Sequence, residues 1–350
     1  MATAVLLSGG VDSSVALLRL VHGGVRDVTA FYLKIWLEDE LAFLGRCPWE
    51  DDLRHARSVC EALGVRLEVV PLQREYRDRV VASALQELRS GHTPSPDVTC
   101  NRDIKFGAFL DRVGPSFEVV ATGHHARVDR DGSRVRLLRG TDRRKDQTYF
   151  LCRLDQAQLR RCRFPVGDLP KREVRRIARD HDLSTADRPD SQGICFLGRV
   201  PYPDFVEAHL GQRRGAIREA GSGRRLGGHP GHWFFTIGQR RGLGLAGGPW
   251  FVVAKEVDAN TVWVVHASRL SEHARREFAM PCPHWIAGPP GRDRLEVRVR
   301  HGEATAWCTV HDVSKGGVRV VLDTADPGIA PGQVAALYDG EECLGGGVIS

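Results

Sequence analysis

Hydrophobic residues in the first third of the chain alternate between short continuous runs and longer runs with helical spacing. The short runs, rich in β-branched residues, predict buried strands over 4–7, 28–35, 66–71 and 117–121. The longer runs predict amphipathic helices over 13–21, 51–63, 73–90 and 102–113. Because strands and helices alternate, we expect an α/β fold with a doubly wound parallel sheet that binds ligands at the carboxyl ends of its strands.

The pattern changes after about residue 200, where glycine and proline become frequent and helical spacing fades. Short strands between turn signals predict two small β units, which typically close into barrels without exposed edges. A charged hairpin is predicted earlier, over 126–139. We therefore expect three domains: an α/β catalytic domain over 1–207, a central β domain over 208–268 and a C-terminal β-barrel over 269–350.

Composition excludes several classes of protein. With 42% hydrophobic and 27% charged residues, and no apolar run of about 18 residues, the chain predicts a globular protein without a membrane span. Nine cysteines, none in a CxxC pair, exclude a disulfide scaffold and disfavour a structural zinc site, so no resident metal ion is expected. No targeting segment is visible, so we expect a cytoplasmic protein; a mitochondrion or plastid is the alternative if a transit peptide precedes this chain.

Positive charge is concentrated in one stretch. The formal net charge is only +6, yet residues 127–179 hold 17 Lys and Arg against 7 Asp and Glu. A basic surface of this kind fits a phosphate-rich partner such as RNA, because neutralising phosphates releases counterions. The alternative is a solvated, arginine-biased face.

The first predicted strand runs into Ser8-Gly-Gly-Val-Asp-Ser-Ser14 immediately before a helix. Gly9 and Gly10 permit a phosphate to approach the backbone, and the N-terminus of a helix attracts anions. A capped turn without a ligand is the alternative. The loop matches neither the GxGxxG nor the GxxxxGK[ST] pattern, which argues against a dinucleotide site and the usual P-loop.

Two cysteines stand in settings that suit a nucleophile. Cys100 ends a proline-rich loop that enters a helix predicted to begin near Arg102, where the helix N-terminus would lower the thiol pKa. Cys195 lies in the turn-rich string 190–196. For each of them a buried thiol without a catalytic role is the alternative.

The whole string Ser8–Ser14 resembles the SGGxDS fingerprint of the ATP-pyrophosphatase (PP-loop) superfamily, whose members cleave ATP between the α and β phosphates. The resemblance implies that ATP binds here with Mg²⁺, and that Asp12 is the acidic residue associated with the magnesium and phosphates. The ATP-binding residues it implies are Leu6, Leu7, Ser8, Gly9, Gly10, Val11, Asp12, Ser13, Leu33 and Gly123.

Further strings resemble the tRNA-specific 2-thiouridylase family and occur in the family's order over nearly the whole chain. They are PSPDVTCN at 94–101, ATGHH at 121–125, KDQTYFL at 145–151, SQGICFLG at 191–198 and TIGQRRGLG at 236–244. The stretches 31–36 and 47–53 resemble the plant and algal branch. Ser95 departs from the asparagine usual in the family, within the segment thought to face the target base.

The family resemblance implies ATP-dependent transfer of sulfur to C2 of the wobble uridine of tRNA, with AMP and pyrophosphate released. Cys195 would carry the sulfur as a persulfide, loaded by a donor such as a cysteine desulfurase relay. Cys100 would attack that persulfide or release sulfide from it, leaving a disulfide for a cellular reductant to open. Asp97 would be the general acid/base, with an Asx turn as the alternative. The implied tRNA contacts are Ser95, Pro96, His124, Lys145, Asp146, Gln147, Arg300, His301 and Gln333.

Two other functions stay open at this point. Another PP-loop tRNA-modifying ligase would use the same adenylation and would need no cysteine pair. A non-catalytic RNA-binding protein with a relic nucleotide site would keep the basic stretch and catalyse nothing.

Overall fold

The computed structural model describes residues 2–35, 48–113, 116–132, 134–190, 200–313 and 316–350. Cys195, with the rest of the string 191–198, lies outside the described residues, as do Trp36 and Cys47 of the stretches that resemble the plant and algal branch. In chain order the strands are β1 (Thr3–Leu6), β2 (Val28–Lys34), β3 (Arg66–Pro71), β4 (Val119–Thr122), β5 (Ala126–Asp131), β6 (Arg134–Arg139), β7 (Cys162–Arg163), β8 (Gly215–Glu219), β9 (Arg225–His229), β10 (Trp250–Glu256), β11 (Thr261–His266), β12 (Arg275–Met280), β13 (His284–Trp285), β14 (Arg294–Arg298), β15 (Ala306–Asp312), β16 (Val318–Asp326), β17 (Val334–Asp339) and β18 (Glu342–Val348).

Two of the helices contain a π-helical middle turn. Helix α3, residues 73–89, joins Gln73–Tyr76, Arg77–Val81 and Ala82–Arg89; α4, residues 96–113, joins Pro96–Cys100, Asn101–Ala108 and Phe109–Val113. The others are α1 (Val11–His22), α2 (Pro48–Leu63), α5 (Thr148–Leu151), α6 (Gln156–Arg161), α7 (Lys171–Asp180) and α8 (Tyr202–Leu210), with 3₁₀ turns at His232–Phe234 and Ala267–His273. None of the helices in the described ranges is both long enough and apolar enough to cross a membrane.

A parallel sheet with helices on both faces forms the N-terminal part of the chain. Its strand order is β3-β2-β1-β4-β7, and every neighbouring pair is parallel. Successive residues of β1 point to opposite faces: Ala4 packs with the core of α3 and α4, and Val5 packs with that of α1, α2 and α7. This arrangement confirms the predicted doubly wound α/β fold and places the ends of β1, β2 and β4 at one shared edge.

Two further sheets follow, both rich in antiparallel pairs. The first, in the order β10-β11-β8-β9, encloses a small core around Ile217 and Val252. The second runs β12-β16-β15-β14-β17-β18-β6-β5, with β13 also pairing with β18. The predicted hairpin is present as β5 and β6, but β6 pairs with β18, so that Leu137 lies opposite Cys343. The hairpin therefore joins the α/β part of the chain to the C-terminal sheet.

Candidate active site

The loop between β1 and α1 has a shape that depends on glycine. Gly9 has a φ of +76°, and a Cβ atom there would lie 2.3 Å from the carbonyl oxygen of Asp52. Gly10 precedes the helix, and its carbonyl accepts a hydrogen bond of 3.0 Å from the Ser13 hydroxyl. The first amides of a helix have no partner within it, so this loop presents N–H groups at the carboxyl edge of the sheet.

The other residues predicted to bind ATP lie at the same edge. Leu6 at the end of β1 pairs with Phe31 of β2 and Thr122 of β4, so Leu33 and Gly123 follow on either side of it. A Cβ atom on Gly123 would meet the backbone nitrogen of Ser13 at 2.5 Å. Glycine is thus required at 123 by the close packing of α1 against the end of β4, a reason that the sequence pattern did not supply.

A charged cluster lies beside the first turn of α1. The Lys171 ammonium is 2.6 Å from both carboxylate oxygens of Asp12 and 2.9 Å from Asp190, and His125 Nε2 is 3.1 Å from Asp12. Burial raises the pKa of Asp12, but its hydrogen bonds and ion pairs with His125 and Lys171 outweigh burial and hold that pKa below its ordinary value. Asp190 also accepts a 2.7 Å hydrogen bond from Lys145. Lys171 and Asp190 were missed by sequence reasoning.

The structure corrects the prediction made for Cys100. Helix α4 begins at Pro96, after the N-cap Ser95, and not near Arg102, so Cys100 lies in the second turn. Its side chain belongs to the core of the α/β domain and is 2% exposed. Burial raises the pKa of the Cys100 thiol to about 11, whereas a position at the helix N-terminus was expected to lower it. Asp97 lies in the first turn of the same helix.

The C-terminal sheet and its loops pack directly on the segment before α4. The backbone N–H of Val334 donates to the Ser95 hydroxyl at 3.1 Å, and the Thr93 N–H donates to the Pro331 carbonyl at 2.8 Å. These contacts place Gln333, between Pro331 and Val334, beside the Ser95-Pro96 turn.

A second loop of the C-terminal unit reaches the same place. The His301 ring stacks on Phe150 with 4.5 Å between ring centres. Burial and the charge of Arg298 lower the pKa of His301, and the nearby Asp97 carboxylate acts in the opposite direction. Arg300 is half-exposed and pairs with Asp326 at 2.8 Å. Five predicted residues, Ser95, Pro96, Asp97, His301 and Gln333, are thus brought together by contacts between the two units.

Two residues predicted to contact tRNA, Asp146 and His124, are buried in this structure. Asp146 is 2% exposed and forms a 2.6 Å ion pair with Arg298, which is itself fully buried. His124 is buried against Thr122, whose hydroxyl is 2.7 Å from His124 Nδ1, and burial holds the pKa of His124 well below its ordinary value. Through its ion pair with Arg298 of β14, the Asp146 carboxylate connects the segment before α5 to the C-terminal sheet and does not face solvent.

The other two residues of the segment 145–147 differ in exposure and in their contacts. Gln147 is half-buried, and its side-chain oxygen accepts a 2.9 Å hydrogen bond from the backbone of His125. Lys145 remains 42% exposed although it pairs with Asp190. Much of the surrounding basic stretch also pairs with the C-terminal unit: Arg127 with Glu341 and Arg139 with Glu296, each at 2.7 Å. Part of the positive charge therefore stabilises the contact between units.

The remaining chemistry is that of free thiols. The described residues include seven cysteines that form no disulfide: Cys60, Cys100, Cys152, Cys162, Cys282, Cys308 and Cys343. Within the described ranges, no group of three or more His, Cys, Asp or Glu side chains could hold a metal ion. The candidate site therefore consists of the glycine-shaped loop before α1 and the buried Cys100 thiol, on the helix whose N-cap Ser95 contacts the C-terminal unit.

A parallel sheet with this loop, followed by two β units, is the architecture of a PP-loop nucleotide-activating enzyme with appended barrels. Residues 1–199 match the family model described as a tRNA methyl transferase HUP domain, 203–266 its PRC-barrel domain, and 275–349 an aminomethyltransferase beta-barrel domain.

Curated relatives identify the family more closely. The chain is 43% identical over 357 residues to tRNA-specific 2-thiouridylase MnmA 2 of Bacteroides fragilis, with 100% of both chains covered. It is 40% identical to tRNA-specific 2-thiouridylase MnmA of Parabacteroides distasonis, covering 100% of this chain and 99% of the relative. For the MnmA of Stenotrophomonas maltophilia the identity is 42%, covering 98% and 92%. The chain therefore belongs to the tRNA-specific 2-thiouridylase family, which confirms the family predicted from its motifs. These relatives are bacterial, and the likeness to the plant and algal branch stays a prediction.

Proposed function

We propose that this protein is a tRNA-uridine 2-sulfurtransferase, which uses ATP to replace the C2 oxygen of the wobble uridine of tRNA by sulfur. The products are 2-thiouridine in the tRNA, AMP and pyrophosphate. The observation that carries this assignment is the 40–43% identity, over the full length, to relatives named tRNA-specific 2-thiouridylases. The family models carry names that refer to methyl transfer, but the curated relatives of the same length are named for thiolation.

ATP is the activating substrate. Membership of the PP-loop ATP-pyrophosphatase superfamily implies its use, and the loop at Gly9 and Gly10 with the first turn of α1 suits its phosphates. Leu33 and Gly123, at the neighbouring strand ends, would flank the nucleoside. Mg²⁺ would bind together with the phosphates, and Asp12, in the first turn of α1, is the acidic residue that would hold it. Mg²⁺ would balance the charge that pyrophosphate carries away.

Adenylation turns a poor leaving group into a good one. The C2 oxygen of the uridine attacks the α-phosphate, the bond to pyrophosphate breaks, and the oxygen then leaves C2 as part of AMP. Adenylation is needed because the carbonyl belongs to a stabilised ring and oxide does not leave by itself. The site must therefore hold the base beside the phosphates, splayed out of the anticodon loop.

Sulfur would reach the base from a persulfide on Cys195, loaded by a donor of the cysteine desulfurase type. The Cys100 thiolate attacks the inner sulfur of that persulfide, a Cys100–Cys195 disulfide forms, and the terminal sulfur is released as hydrosulfide to add at C2. Two electrons from a cellular reductant then restore both thiols. Asp97 lies three residues before Cys100 on α4, so the two share one helix face, and Asp97 is our candidate for moving the proton.

tRNA would bind where the C-terminal unit meets the α/β domain. Ser95, Pro96, His301 and Gln333 surround Asp97 there, and the half-exposed Lys145 and Arg300 are available for phosphates. We propose that the reaction takes place in the cytoplasm, in keeping with the free thiols of the described residues.

Mass spectrometry of tRNA nucleosides tests the assignment. The purified chain is incubated with unmodified tRNA, a sulfur source and Mg²⁺, with and without ATP. We expect 2-thiouridine only with ATP. A different ATP-dependent nucleoside would instead indicate another PP-loop tRNA-modifying ligase, and tRNA binding without any product or pyrophosphate exchange would indicate a non-catalytic RNA-binding protein.

A further inference from the structure

Lys171 occupies an unusual position for a lysine. It opens helix α7, where a positive charge lies at the positive end of the helix dipole and opposes it. The residue is only 9% exposed, and a buried ammonium is unfavourable unless it is paired. A lysine at this position neither stabilises the helix nor adds exposed surface charge. The reason for it must therefore lie in the contacts of its ammonium group.

The partners of the Lys171 ammonium are carboxylates. It is 2.6 Å from both oxygens of Asp12 and 2.9 Å from Asp190, which matches the three N–H groups of an ammonium. Asp12 belongs to the first turn of α1, so these bonds hold the ammonium beside the free amides of the phosphate loop.

The neighbouring arginines also pair with carboxylates, but each of them holds backbone carbonyls as well. Arg175 donates to Asp190 at 2.7 Å and to the backbone carbonyls of Ala186 and Arg188. Arg188 donates to Asp52 at 2.7 Å and to the Gly9 carbonyl at 2.6 Å. A guanidinium that holds backbone carbonyls shapes the loop and cannot leave without opening it. Carboxylate oxygens, by contrast, can be exchanged for phosphate oxygens, and the flexible four-carbon stem of lysine allows a short shift.

We infer that Lys171 is a phosphate-binding residue of this site: its ammonium leaves Asp12 to contact the phosphates of ATP that depart as pyrophosphate. This inference rests on the proposed function and adds to it a residue on α7, far in sequence from the loop. Asp12 and Asp190 hold the ammonium in place before ATP arrives, and Lys171 stabilises the charge that builds on the leaving group.

Binding of inorganic pyrophosphate, ATP and AMP to the full chain, measured by calorimetry, tests the assignment. For Lys171→Met we expect pyrophosphate and ATP to bind about tenfold to a hundredfold more weakly, because a charge-assisted hydrogen bond is lost. AMP, which lacks the departing phosphates, should bind within about twofold of the wild type. Arg172→Met, which removes an exposed cation from the same helical turn, is the matched control and should leave all three unchanged.

Three results would overturn the assignment: unchanged binding of pyrophosphate by Lys171→Met, an equal loss for all three ligands, or no binding of pyrophosphate by the wild type. Should the methionine variant not fold, Lys171→Gln replaces it, because its amide can still donate to the two carboxylates; Lys171→Arg should restore part of the pyrophosphate binding. These measurements do not depend on thiolation. A wild type that binds pyrophosphate but makes no 2-thiouridine would refute the proposed function and leave the role of Lys171 standing.

Discussion

Alkylation of Cys100 should be slow at neutral pH and should accelerate as the pH approaches 11. Burial raises the pKa of this thiol from the ordinary 9.0 to about 11. A difference of one pKa unit changes the ratio of thiolate to thiol tenfold. At neutral pH the reactive thiolate of Cys100 is therefore about a hundredfold scarcer than that of an ordinary cysteine. The 2% exposure of the side chain slows the reagent further.

Pulses of iodoacetamide at a series of pH values, followed by mass mapping of each cysteine peptide, measure this directly. The exposed Cys282 reports on the reagent in the same sample. Labelling of Cys100 at neutral pH as fast as Cys282, in the protein alone, would refute the burial argument.

The raised pKa of the Cys100 thiol also makes the stability of the fold depend on pH. The folded pKa lies above the unfolded value, so the protonated thiol contributes stability that is fully present below pH 9 and is lost as the pH rises through about 11. The difference in unfolding free energy between wild type and Cys100→Ala should therefore shrink over that interval. A difference that stays constant in urea titrations would contradict the shift.

Three further changes have outcomes that the structure specifies. Arg298→Met leaves the buried Asp146 carboxylate without its ion-pair partner and should lower the unfolding free energy, measured in urea, by about 3–5 kcal/mol. An unchanged free energy would mean that the pair is not buried as described. Gly123→Ala places a methyl group 2.5 Å from the Ser13 nitrogen, so it should cost about 1–3 kcal/mol and weaken ATP binding in calorimetry; a variant with unchanged melting and affinity would contradict the close packing. Lys145→Met should weaken tRNA binding and reduce its salt dependence in filter assays while ATP binding stays intact; equal losses for both ligands would show that Lys145 acts through Asp190 instead.

The α/β fold was predictable because its signals are local. Buried parallel strands read as short apolar runs, and the amphipathic helices between them have their own period, so β1 to β4 and α1 to α4 were anticipated in order. The start of α4 was misplaced although a signal existed. Ser95 as N-cap, Pro96 in the first turn and Asp97 after it are typical of a helix start, and the two prolines were interpreted as a stiff loop instead.

Long-range pairing could not be anticipated from the pattern. The hairpin at 126–139 was predicted, but its pairing with β18 joins residues such as Leu137 and Cys343, and nothing in the local alternation indicates such a distant partner. Asp146 illustrates the consequence. Its burial depends on Arg298 arriving from β14, so an aspartate in a basic stretch was interpreted as a surface residue.

The candidate site also has a part that local sequence predicts and a part that depends on contacts between distant segments. The phosphate loop was predicted from consecutive residues, because glycines before a helix determine its shape wherever the rest of the chain lies. The cluster of Asp12, Lys171 and Asp190 comes from three separate segments and was missed. A lysine as the first residue of a helix was the available signal, since that position disfavours a cation.

Transfer of labelled sulfur in a single turnover tests the central claim most directly. The protein is loaded with ³⁵S persulfide, freed of donor, and mixed with unmodified tRNA with or without ATP. Label should pass to 2-thiouridine only with ATP. Cys195→Ser should take up no label, Cys100→Ser should keep its label on the protein, and Cys282→Ser should behave as wild type. Full transfer without ATP, or from a protein lacking Cys195, would contradict a sulfur relay that acts on an adenylated base.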